Sequence, residues 1–212
     1  IRNEPLRTMK RINVLVHALV VLLLTACAEK VKEEDPVATR IQEIKTEFAP
    51  DKRVVLFDIS TEKKGDAIVL RGETTHSEAL EALKNRFAAD SIAFIDSVQV
   101  LPADYLGKNT RAIITISVAN LRSNPGHSSE LATQAMLGTT VKVYKQEDNW
   151  YYVQTPDGYL AWVDAGGIEL VDELKAENWN ADKKVIYTET YGHAYLGPDE
   201  DAPIVSDLTA GN

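Results

Sequence analysis

The apolar positions of this chain fall into distinct periods, and each period predicts an element. Val37, Ile41, Ile44 and Phe48 recur at the spacing of one helix face, with Pro50 as the stop. Arg53 to Ile59 is dense in Val, Leu, Phe and Ile and reads as a strand. Lys64-Gly65-Asp66 is turn chemistry and Ala67 to Gly72 a second strand, which predicts a hairpin. Thr75-His76-Ser77-Glu78 fits a capping box in which Thr75 accepts from the Glu78 amide. The helix behind it carries Leu80, Leu83 and Phe87 on one face. Ile95 to Leu101 gives a third strand, ended by Pro102. Residues 37–103 thus predict an α+β domain in the order helix, strand, strand, helix, strand.

From Arg111 the pattern changes to short strands separated by turn residues. Residues 113–118 alternate Ile, Thr, Ile and Val as one strand. Leu131, Val141 with Val143, Trp150 to Val153 and Tyr159 to Val163 supply the others, and together they predict an all-β small barrel over 111–172. Asp157-Gly158 is expected to supply the positive φ angles of a tight hairpin. Lys183 to Thr188 reads as a strand, followed by Tyr191 to Tyr195 and Pro203 to Leu208; this partial β unit over 182–212 resembles the truncated start of a second SH3-like domain.

At the other end, Ile12 to Leu24 is apolar but shorter than the roughly 20 residues of a membrane span. Lys10 and Arg11 precede it, and Leu24-Thr25-Ala26-Cys27 closes it with small residues and a cysteine. This is the build of a secretory signal, and it resembles a bacterial lipoprotein signal with its lipobox. The resemblance implies lipidation of Cys27 and a lipid-anchored place in the cell envelope. Ala28, where aspartate would signal inner-membrane retention, leans that place toward the outer membrane. Residues 1–27 are accordingly read as upstream residues and signal peptide, with Met9 as the expected start. Residues 28–36, charged and without apolar period, are read as a tether.

Composition narrows the functions. There are 32 acidic against 23 basic residues, a net charge of −9. A basic footprint is the usual mark of nucleic-acid binding, so no nucleic-acid partner is expected. An acidic surface is also a poor match to anionic lipid heads, so membrane attachment is expected through the lipid on Cys27. The chain has a single cysteine. Once acylated it leaves no thiol for a disulfide, a metal site or a nucleophile. No nucleophile elbow, phosphate loop or His-Glu-x-x-His pattern occurs. No catalytic residue, metal site or cofactor is therefore expected.

Two further resemblances bear on function. The helix-strand-strand-helix-strand order, with the second strand ending in Gly72 and Val98-x-Val100 in the third, resembles the BON domain of envelope proteins. That implies envelope or phospholipid binding, although small α+β units host many roles. Residues 111–172 resemble a bacterial SH3-like (SH3b) domain. Arg122-Ser123-Asn124-Pro125 stands as its opening turn, and Gly138 precedes Val141 and Val143. Trp150, Val153, Gly158, Trp162 and Val163 fill the later places. Ala161 and Asn124 stand where the family usually has glycine.

Such domains, with a lipoprotein or export signal, occur in NlpC-family cysteine peptidases, which cut the γ-D-glutamyl to diamino-acid bond of peptidoglycan stem peptides. The resemblance implies that this chain is the substrate-positioning, non-catalytic half of such a hydrolase. A missing C-terminal catalytic domain would then pack on the SH3-like domain. The alternative is a complete, non-enzymatic envelope, cell-wall-binding or phospholipid-binding lipoprotein. Ligand-binding candidates are Trp150, Tyr152, Tyr159 and Trp162, with the two tyrosines expected to be the more exposed and the tryptophans to pack core or hairpin. His76 reads as a cap-region residue, and His193 has no catalytic partner in sight.

Overall fold

The structure, a computed structural model, describes residues 35–65, 67–199 and 201–212. The signal segment, Cys27 and most of the tether lie outside the described residues. Helix α1 (Pro36–Phe48) starts on a proline, whose fixed φ suits the first helical position. It ends ahead of Pro50, because the residue before a proline is pushed out of the helical region. Strands β1 (Phe57–Lys64) and β2 (Ala67–Thr74) form the expected antiparallel hairpin, with Lys64 opposite Ala67. Helix α2 (Ser77–Ala89) crosses over to β3 (Phe94–Val100), which pairs parallel with β2. The sheet order is β1-β2-β3. Ile44 from α1, Leu70 from β2 and Leu83 and Phe87 from α2 are fully buried together between the helices and the sheet.

Two details differ from the sequence reading. His76, not Thr75, caps α2: its Nδ1 accepts from the Ala79 amide at 3.3 Å. Thr75 is used elsewhere, its Oγ1 accepting from the Leu56 amide. The strand expected over Arg53–Ile59 begins only at Phe57. The Val54 and Val55 amides both turn back to the Asp51 carbonyl. The Arg53 and Val54 carbonyls instead accept from residues of the second sheet.

That sheet is antiparallel throughout and seven-stranded. It comprises β4 (Arg111–Ile114), β5 (Val118–Arg122), β6 (Leu131–Met136), β7 (Thr140–Glu147), β8 (Trp150–Gln154), β9 (Leu160–Asp164) and β10 (Ile168–Val171), in the order β10-β4-β7-β8-β9-β5-β6. The single strand expected over 113–118 is two, because the chain leaves β4 at Thr115 and re-enters as β5 at Val118. Ile114, Leu121, Val141, Val143, Val153 and Val163 point inward to one core. The β8–β9 loop is longer than a two-residue hairpin: Gln154 pairs with Leu160, and of Asp157-Gly158 only Gly158 takes a positive φ, 91°. The left-handed hairpin residue is Asp148, at φ 49°, between β7 and β8.

Beyond β10 the chain forms a helix that the apolar pattern did not announce, α3 (Glu173–Ala181), capped by Asp172 accepting from the Lys175 amide at 2.9 Å. Lys183 to Thr188 is not a strand; Val185 and Ile186 are 93% and 73% exposed, and Tyr187 exchanges backbone hydrogen bonds with Gly211 and Asn212 instead of joining a ladder. The hairpin strands lie later, β11 (Tyr191–Tyr195) and β12 (Ile204–Thr209). This hairpin is tied to the seven-stranded sheet where Ser117 Oγ donates to Asp207 at 2.8 Å and Asn212 Nδ2 donates to the Ser117 carbonyl at 2.9 Å.

The α+β region and the seven-stranded sheet meet along a seam that positions the site. Leu101, Ala103, Tyr144 and Leu160 are buried there, with Leu56 and Tyr152 packed against them. The Ala103 amide donates to the Tyr144 carbonyl at 2.8 Å, and the Leu160 amide donates to the Arg53 carbonyl at 2.7 Å. Gln154 Nε2 reaches the Val54 carbonyl at 3.0 Å.

Candidate functional site

Alternation along β8 sends Tyr151 and Val153 into the core and leaves Trp150, Tyr152 and Gln154 on the outer face. Trp162 of β9 stands directly opposite Tyr152, and Asp164 opposite Trp150. The Tyr152 and Trp162 rings lie 5.0 Å apart, and Tyr144 lies 6.5 Å from Tyr152. Three of the four candidate residues are therefore brought onto one face. Tyr159 stands apart, in the loop before β9, with the Arg53 guanidinium 5.7 Å from its ring centre.

Tyr152 and Tyr159 are more exposed than Trp150 and Trp162, but both are half-buried. The cause is the seam, since Arg53, Leu56 and Glu73 of the α+β region lie against this part of the sheet. Trp150 and Trp162 are buried, at 8% and 6% exposure, yet neither belongs to the inner core. They pack on the outer face, as hairpin-packing residues would, under polar side chains. His127 stands over Trp150 with ring centres 5.0 Å apart, and its Nε2 lies 3.5 Å from Asp164 Oδ2. His127 is itself exposed, so the Trp150 end of the face is the accessible end.

Lys145 is the central charged group, and the sequence pattern concealed it. Simple alternation from Val141 and Val143 would point Lys145 into the core. A register shift between Val143 and Lys145 inserts Tyr144 as an extra residue and pairs Lys145 with Tyr152 on the outer face. Its Nζ sits 5.9 Å from the Tyr152 ring centre and 5.3 Å from that of Trp162. It donates to Glu73 of β2 at 2.6 Å and pairs with Glu147 at 2.8 Å. Burial works against the Lys145 charge, but the hydrogen bonds to Glu147 and Glu73 and their charges outweigh it, so its pKa is raised. Burial pushes the Tyr152 phenol up to about 12, the nearby ammonium opposing only in part.

The result is an aromatic strip with a cation held between two carboxylates near one end and an imidazole–carboxylate pair at the other. Such a strip offers both apolar contact and charges of both signs, which suits a short peptide carrying ammonium and carboxylate groups. Lys145, Glu73, His127 and Asp164 were not singled out in the sequence, because what unites them is the outer face, not a spacing. Among the described residues no group of three or more His, Cys, Asp or Glu is arranged to hold a metal. His76 serves as the α2 cap, and His193 Nε2 lies 3.1 Å from the Tyr191 hydroxyl on the β11–β12 hairpin.

Comparison with known proteins gives one assignment. Residues 117–169, from just before β5 to the start of β10, match the family profile of the bacterial SH3 domain. The chain therefore contains a bacterial SH3 domain, preceded by an α+β region. No curated protein matches the chain.

Proposed function

We propose that this is a lipid-anchored protein of the cell envelope, outer membrane more than inner, whose bacterial SH3 domain holds peptidoglycan stem peptides. The observation that carries the reading is the family match over 117–169 together with the aromatic, doubly charged outer face of β8 and β9. Bacterial SH3 domains often bind the cell wall, and stem peptides carry both amino and carboxylate groups. On this reading a peptide docks at the Trp150 end, over His127 and Asp164, while the seam holds the Tyr152–Trp162 part rigid. The seven-stranded sheet is read as a small barrel and the α+β region as BON-like.

Co-sedimentation with purified sacculi tests the core of this proposal. The protein is expected to pellet with intact sacculi and to stay in solution with sacculi stripped of stem peptides by an amidase. Equal pelleting with both would move the ligand from peptide to glycan, and no pelleting would end the wall-binding reading. The anchor rests on Leu24-Thr25-Ala26-Cys27. Metabolic labelling with a radioactive fatty acid should mark the protein and fail on Cys27→Ala; label retained by the variant would sink the anchor. The proposed role as the non-catalytic half of a γ-D-glutamyl-diamino-acid endopeptidase rests on the resemblance to NlpC-family proteins. The reading frame downstream of Asn212 tests it, and a continuation without a cysteine and histidine peptidase domain would refute it.

A further inference from the structure

We infer that the cleft at the other end of β8 is a seat for the free carboxylate of a peptide ligand. Arg111 of β4 stands directly opposite Lys142 of β7, and Lys142 opposite Gln154 of β8, so the three line one row across the sheet. Like charges directly opposite each other are destabilising, and an anion bound between them would relieve the repulsion. Two concavities open beside the row, of about 330 Å³ and 260 Å³, and both are lined by Arg111 and Lys142. The larger is in the range of small-ligand sites, roughly 300–1,000 Å³. No acidic residue lines it; Thr140, Thr155, Pro156 and Gly158 complete its wall. Glu173 is the one acid lining the smaller.

In a chain of net charge −9, two cations facing one carboxylate make a local excess of positive charge. Glu173 also shows what the seat accepts. Its two oxygens take the Arg111 fork at 2.6 and 2.9 Å, and Arg111 and Lys142 together hold its pKa down. A carboxylate is thus already the fitting group, bound side-on by the planar guanidinium. That pairing uses Nε and Nη2 of Arg111; its Nη1 donates to no described residue, and neither does the Lys142 ammonium. Both residues line the concavities, so these donors remain for a second carboxylate. The inference rests on the reading that the domain binds wall peptides, and it names the group by which a peptide would be held.

The test uses N-acetyl-alanyl-alanine and its C-terminal carboxamide, titrated into isotope-labelled protein while the amide signals of Thr140, Lys142 and Thr155 are followed by NMR. The free acid is expected to shift these signals and to bind about tenfold more tightly than the carboxamide. Lys142→Glu, at an exposed position, should weaken the acid by a similar factor, and Lys142→Arg should restore it. Glu173→Gln, which weakens the internal competitor's hold on Arg111, should tighten it. Equal binding of acid and carboxamide, or indifference to Lys142→Glu, would overturn the inference. Displacement of the dipeptide by an equal concentration of inorganic phosphate would overturn the carboxylate assignment in favour of a phosphate. The two readings fail separately. Dipeptide binding at these signals without sacculus pelleting removes the wall and leaves the seat; pelleting without dipeptide binding does the reverse.

Discussion

The Lys145 ammonium joins the α+β region to the aromatic face, and its removal has a calculable cost. Lys145→Met keeps the stem over the rings and deletes the charge. The Glu73 contact is 2.6 Å long with both side chains largely enclosed, at 15% and 29% exposure. A hydrogen bond between charged groups in such a setting is worth about 1.5–3 kcal/mol. The Glu147 contact involves a half-exposed carboxylate and adds at most about 1 kcal/mol. Cation–π attraction to Tyr152 and Trp162 adds about 0.5–1 kcal/mol. Against this stands the relief of no longer desolvating an ammonium, which cancels part of the gain. The net expectation is a loss of about 2 kcal/mol for Lys145→Met and about 1 kcal/mol for Glu73→Gln, which keeps an acceptor. Urea unfolding followed by tryptophan fluorescence reads both variants and the double variant. A coupling energy of about 1 kcal/mol is expected from the cycle. Additivity to within roughly 0.3–0.5 kcal/mol, the behaviour of independent sites, would show that the two groups do not act on each other.

Other consequences follow from single positions. Gly72 has φ 125°, and a Cβ there would lie 1.9 Å from the Asp58 carbonyl oxygen; Gly72→Ala should destabilise by at least about 2 kcal/mol, read by thermal or urea melts. His76→Ala removes the α2 cap and should cost about 0.5–1 kcal/mol in the same assay, with His76→Asn restoring most of it. At high pH, Tyr152 and Lys145 act in one direction. Both have raised folded-state values, so the stability they contribute is complete below their ordinary pKa values near 10 and is lost as pH rises through the raised ones, about 12 for Tyr152. Ultraviolet titration of the eight tyrosines should show a late component, to which buried Tyr144 also contributes, that shrinks in Tyr152→Phe, whose fold should also persist to higher pH; a late component unchanged by that substitution would refute this.

Much of the architecture was legible because burial repeats. Val37, Ile41, Ile44 and Phe48 lie on one helix face, and Leu80, Leu83 and Phe87 on another, since each helix has one side against the sheet. The Arg122 to Val163 pattern was legible for a similar reason: hairpin turns and alternate core residues leave a regular trace. What misled was whatever depends on distant partners. Arg53–Leu56 has strand composition, but the Arg53 and Val54 carbonyls serve the other sheet. Thr75 has capping chemistry, but its hydroxyl is taken by Leu56. α3 was missed because its packing uses few large apolar side chains: Ala176 is buried with Ile113 and Val171, while Leu174 is exposed. At the site, Trp150, Tyr152 and Trp162 were visible as aromatics on alternating strands. Lys145 was not, because one inserted residue reverses which face the rest of β7 presents, and nothing local in Val143-Tyr144-Lys145 signals the bulge.

Docking of stem peptides at the Trp150 end of the outer face leaves a direct spectroscopic trace. Three tryptophans make this directly observable, since Trp150, Trp162 and Trp179 lie on the face, beneath Lys145 and on α3 respectively. A soluble stem peptide titrated into isotope-labelled protein should move the Trp150 indole N–H signal and the His127 ring signals saturably. Trp179, whose indole donates to the Gly138 carbonyl at 2.8 Å, should stay in place. If Trp150 stays fixed while the peptide binds, or if Trp179 moves as far, the ligand lies elsewhere and the claim is contradicted.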